Sequence, residues 1–124
     1  MIRVSYREFE RLVLRALDGL PEQFQERLDN VDIVVEDWPS PEEIRDMGLK
    51  SRYDLFGLYQ GIPLTERSHY NMVLPDRIAI YRNPIQASCS SREEMVEQIR
   101  STVIHELAHH FGIDDATLEH TDYR

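Results

Sequence analysis

The chain has 124 residues, 41% of them apolar and 30% charged, with a formal net charge of −9. Length and composition point to one globular domain over residues 1–124, with a small core of its own. The acidity argues against nucleic acid or an anionic membrane as partner, because both are bound through basic surfaces.

The N-terminal stretch "MIRVSYREFERLVLRAL" carries charges every few residues. It lacks the uninterrupted apolar segment of a signal peptide, and nowhere does an apolar run reach the roughly 18 residues of a membrane span. The one cysteine, Cys89, allows no disulfide within the chain. Both features fit a reducing, cytoplasmic setting.

From Ser5 to Leu17, apolar residues fall at Tyr6, Phe9, Leu12, Val13, Ala16 and Leu17. That spacing predicts a helix with one buried face. Ser5 and Glu8 form a capping-box pattern, and Gly19 is placed to stop the helix. "LPEQFQERLDN" reads as a short second helix opened by Pro21. "VDIVVEDW", residues 31–38, is β-branched and short, hence a strand, which Pro39 and Pro41 end. "SPEEIRDMG" then offers one or two helical turns.

"LFGLYQGIPL" is the next strand candidate, and Gly57 and Gly61 in it mark a bulge or a close backbone approach. The polar loop "TERSHYNMVLP" follows. "DRIAIYR", residues 76–82, is the clearest strand. It would place Ile78, Ile80 and Arg82 on one face and Arg77, Ala79 and Tyr81 on the other. Ser91 with Glu94 repeats the capping-box pattern and opens a long helix, expected to run to Phe111 and stop at Gly112. The order of elements predicts an α+β fold with a small mixed or antiparallel sheet.

The long helix carries "TVIHELAHHFGIDD", residues 102–115. On a helical wheel Val96, Val103, Ile104, Leu107, Ala108 and Phe111 share one broad apolar arc, with Met95 and Ile99 on its flank. His105 and His109 lie opposite that arc. They are one turn apart, so both imidazoles can reach a single ion, and zinc is the metal this spacing suits. Glu106, beside the first histidine, is placed to take a proton from water at such an ion. His110 points at another angle and reads as a residue behind the metal or at the core edge.

A catalytic zinc needs three protein ligands and an open position. Only fifteen residues follow His109. A ligand from a second helix far downstream is therefore not available in cis. Gly112 permits a left-handed turn that swings the chain back toward the histidines. Asp114, Asp115, Glu119 and His120 lie beyond it. Asp115 completes His-Glu-x-x-His-x-x-Gly-x-x-Asp, in the slot where metzincins carry histidine. His120 is the next candidate, and either Asp114 or Asp115 could instead cap a last short helix.

"GLYQGIPLTERS", "LPDRIAIYR" and "TVIHELAHHFGIDDATL" together resemble the characteristic blocks of the short bacterial zincin-like metallopeptidases, over most of residues 31–120. The resemblance implies a minimal zincin fold, a small twisted sheet beside an active-site helix. It implies His105 and His109 as zinc ligands, Glu106 as the catalytic glutamate and Asp115 as the matching acidic position. The chain departs from the metzincins in having no Met-turn downstream of the site, Met72 lying upstream. His120 stands where the family often has an acidic residue.

The expected activity is zinc-dependent hydrolysis of a peptide or protein substrate. Oxyanion stabilisers are sought among Tyr59, His69, Tyr70, His110 and Tyr123. "DRIAIYR" is the strand expected to offer a sheet edge to an extended peptide. The alternative is a zinc-binding interaction or regulatory module, closed by His105, His109, Asp115 and His120. A third reading is a latent peptidase whose zinc the Cys89 thiolate caps. Trp38 and Phe56 are expected in the core.

Overall fold

A computed structural model describes residues 2–61 and 75–112. Helix α1 spans Tyr6–Asp18, with Ser5 accepting from the Glu8 N–H at 3.1 Å. Its core-facing residues Phe9, Leu12, Val13 and Ala16 are those the periodicity picked out. Gly19 does follow it, but with a negative φ. The reason for glycine there is packing: an added Cβ would lie 2.2 Å from the Arg100 guanidinium. Arg100 donates from Nε to the Ala16 carbonyl at 3.1 Å and so satisfies an end of α1.

Helix α2 spans Glu22–Arg27, strand β1 Val31–Glu36 and helix α3 Pro41–Asp46. A complete capping box of Ser40 and Glu43 opens α3. Strand β2 spans Gly57–Gln60 and strand β3 Asp76–Tyr81. Helix α4, Arg82–Ser88, follows at once. It has no side-chain cap and follows the strand without a break, so no capping pattern announces it. Burial of Pro84, Ile85 and Gln86 holds it, together with the Val4 N–H donated to Gln86 Oε1 at 2.6 Å. Arg82 therefore opens a helix and does not face the core with Ile78 and Ile80. Its guanidinium reaches Asp37 Oδ1 and the Val4 carbonyl, each at 2.9 Å.

Helix α5 spans Arg92–Phe111, as the capping pattern and Gly112 predict. Ser91 accepts from the Glu94 N–H at 3.1 Å. Gly112 ends the helix in the left-handed conformation, φ 69° and ψ 28°, with its N–H on the Ala108 carbonyl.

The sheet is mixed, in the order β1-β3-β2, with β1 parallel and β2 antiparallel to β3. This is an α+β fold with a long helix packed on a small sheet. Ile78 and Ile80 pack with Phe9, Phe24, Met95, Ile99, Val103, Ile104 and Leu107 in the main core. Ala79 and Tyr81 face the other way, against Ile44 and Leu55. Strand β3 is thus central and paired on both sides. The expectation that it offers a free edge is overturned, because neighbours already take its backbone hydrogen bonds. Its strong apolar signal reflects burial on both faces.

Gly57 is the close approach that glycine promised. A Cβ there would lie 2.6 Å from Thr102 Cγ2 on α5 and 2.9 Å from the Ala79 carbonyl. Among the described residues Gly61 shows no such crowding, the nearest atom being Asp76 Oδ1 at 3.9 Å. Phe56 is half-buried against the core as expected. Trp38 is outside both core clusters. It lies under the Arg52 guanidinium, 3.7 Å from its ring centroid, and edge-on to Tyr53. Among the described residues no helix is long and apolar enough to cross a membrane.

Candidate metal centre

Up to Ile104, α5 lays one face in the core and leaves Glu93, Glu94 and Glu97 exposed. Val103 and Ile104 are fully buried, as is Leu107 one turn on. His105 and Glu106 are half-buried, while His109 and His110 are exposed. The helix therefore carries its histidine face out of the apolar interior toward the solvent-facing end of the sheet. Phe111 is not part of the buried arc. It is 44% exposed, edge-on to His110 at 4.9 Å and beneath the Arg27 guanidinium. The reason is position: the helix is already leaving the core in its last turn.

His105 and His109 stand on successive turns, as the spacing requires. Ser101 Oγ lies 3.4 Å from His105 Nδ1. Metal-binding histidines commonly hold their second ring nitrogen on such a partner. In this arrangement Nε2 is the nitrogen that would meet an ion.

Glu106 does not turn toward the histidines' far side. Its Oε1 accepts the backbone N–H of Tyr59 at 2.8 Å. The direction of that N–H follows from strand register. The Tyr81 N–H bonds the Phe56 carbonyl, so Phe56, Leu58 and Gln60 share their hydrogen bonds with β3. The N–H of Tyr59 alternates with these and points off the outer edge of β2, onto Glu106. Burial pushes the Glu106 carboxyl above its ordinary value, against the Tyr59 N–H and His109, which pull it down.

The donor set fits zinc in kind: two imidazoles on one helical face, with a carboxylate held aside by a main-chain N–H. Among the described residues no three ligand-type side chains come together. Asp115 and the competing Asp114, Glu119 and His120 lie outside the described residues, as do His69, Tyr70, Met72 and Tyr123. Of the five oxyanion candidates, Tyr59 and His110 are described, and they face each other. Their rings stack with centroids 3.8 Å apart at 12°. The Tyr59 hydroxyl donates to Asp76 Oδ2 at 2.7 Å, and His110 Nε2 lies 4.0 Å from the same oxygen.

Cys89 cannot reach this end of α5. It precedes the helix N-cap, and the fourteen residues from Ser91 to His105 make a rise of roughly 20 Å. It is buried in the main core, which pushes its thiol pKa up. The capped-zinc reading is therefore set aside. Ser101, Asp76 and the Tyr59 N–H escaped the sequence. Only Ser101 left a signal there, four residues before His105 on the same face.

The model of the zincin-like metallopeptidase family matches residues 28–124. No protein of curated function matches the chain. A similar solved structure is a conserved hypothetical protein from T. thermophilus, 25% identical. That match covers 87% of this chain and 94% of the other, with a TM-score of 0.54.

Proposed function

The chain belongs to the zincin-like metallopeptidase family, and from that premise we propose that it is a zinc-dependent peptide hydrolase of the cytoplasm. His105, His109 and Asp115 hold the metal and Glu106 is the base. Zinc, when bound, supplies Lewis-acid polarisation of the scissile carbonyl and lowers the pKa of water. Glu106 takes a proton from the attacking water as its oxygen bonds the carbonyl carbon. It returns that proton to the nitrogen as the C–N bond breaks. An extended peptide lies along the outer edge of β2, the edge whose Tyr59 N–H meets Glu106, and not along β3.

The observation that carries this reading is the state of Glu106. A zinc site that only braces a fold has no use for a half-buried carboxylate beside its first histidine, raised by desolvation and held by a backbone N–H. That favours hydrolysis over a closed, purely structural site. The decisive experiment combines zinc analysis with cleavage of a fluorogenic peptide library. Glu106→Gln should retain one zinc and lose turnover by a factor on the order of 10² or more. Asp115→Ala should lose the zinc. Undiminished cleavage by the Glu106→Gln protein would rule out the mechanism, and native zinc affinity in the Asp115→Ala protein would rule out that ligand.

A further inference from the structure

We propose that Tyr59 is a positioning residue for Glu106, held in place by His110 and Asp76. Glu106 lies on the half-buried flank of α5, beside Leu107 and Ala108, which stay in the core. Among the described residues, its carboxylate accepts from an N–H on the outer edge of a four-residue strand. Strand β2 is pinned to α5 at two points. One is Gly57, packed against Thr102. The other is the Tyr59 ring, stacked on His110 and tied through its hydroxyl to Asp76, the first residue of β3. Tyr59 thus joins β2, β3 and the last turn of α5, and the same residue supplies the N–H that holds the base. His110 serves this purpose without being a metal ligand. Its neighbour His109 would be the ligand, on the face it shares with His105, while His110 stacks on the strand.

A stack and a charge-assisted hydrogen bond at one residue restrict the strand's motion relative to the helix. Hydrogen bonds to catalytic groups depend on such supporting contacts, because small displacements at the reacting centre are costly. The inference rests on Glu106 being the base, but its test does not need turnover.

The test uses the full-length metal-free protein and follows the residue-59 amide by ¹⁵N–¹H NMR, with Glu106→Gln marking the shift that depends on the carboxylate charge. His110→Ala should move the residue-59 amide and lower its hydrogen-exchange protection about tenfold. His110→Phe, which restores a stacking ring, should recover both. Tyr59→Phe keeps the stack and should fall between. A role confined to stability would lower the melting temperature of His110→Ala and leave the residue-59 amide in place, and that result overturns the proposal. His110 is exposed, so folding of the variant is not at issue. Zinc content of the wild type is measured alongside. Absence of zinc there overturns the metallopeptidase reading and with it the role of Glu106 as base, whereas an unmoved residue-59 amide overturns the positioning contact alone.

Discussion

Through Ile104, α5 is gripped along its inner face: Met95, Ile99, Val103 and Ile104 are fully buried while Glu93 and Glu97 face solvent, and Arg100 reaches across to the end of α1. From His105 onward the same helix is half-buried or exposed on its histidine face, and Gly112 ends it in the left-handed conformation. The contrast shows how so small a fold can place reactive groups. The buried turns fix direction, and the emerging turns present the imidazoles on a rigid axis at the mouth of the sheet. Side chains on an element anchored in this way are held more precisely than side chains on a loop.

Changes at the two ends should therefore fail differently. Ile99→Ala, in the gripped half, should cost about 2–5 kcal/mol of global stability. Urea unfolding would read that loss, with zinc affinity of the folded protein little altered. An equally large drop in zinc affinity would show that the halves are not independent. Gly112→Ala should cost about 1–2 kcal/mol, because its φ of 69° is strained for alanine while none of the described residues lies within 4 Å of the new Cβ. Its larger effect should be on zinc affinity, through the course of the chain toward Asp115. Competition against a chromophoric chelator measures this, and an unchanged affinity would separate the turn from the metal.

The smallest effect is electrostatic. Burial raises the Glu106 pKa in the folded protein. The native state therefore holds that proton more tightly than the unfolded chain. Its contribution is present at low pH and is lost as pH rises from the ordinary carboxylate value through the folded one. In the metal-free protein, Glu106→Gln should match the wild type at about pH 4 and become relatively more stable toward about pH 7. Parallel unfolding curves across that range would show that the base is not desolvated.

Much of this was legible in the chain itself. Ser91, Glu94 and Gly112 bound α5 by local rules of capping, and the turn-apart histidines follow from helical geometry. Helix α4 was not legible, since an uncapped segment that follows a strand without a break is helical only because the core buries it. The place of β3 was misread for a related reason. Apolar residues at 78–81 say that a strand is buried and do not say which strands flank it. Trp38 looked like a core residue by its size, yet it lies under Arg52, where its ring face serves a cation.

What the sequence determined by itself was therefore the local half of the centre: His105, Glu106 and His109 on one helix, and the glycine that ends it. Those relations span a turn or two, and the backbone's own hydrogen bonds impose them. The tertiary structure alone decided that the edge of β2 meets that helix and that a main-chain N–H holds the Glu106 carboxylate. It likewise decided that Tyr59, His110 and Asp76 gather beside it. Strand order and register join residues 17 to 51 positions apart, and a peptide N–H carries no signature in the amino-acid code.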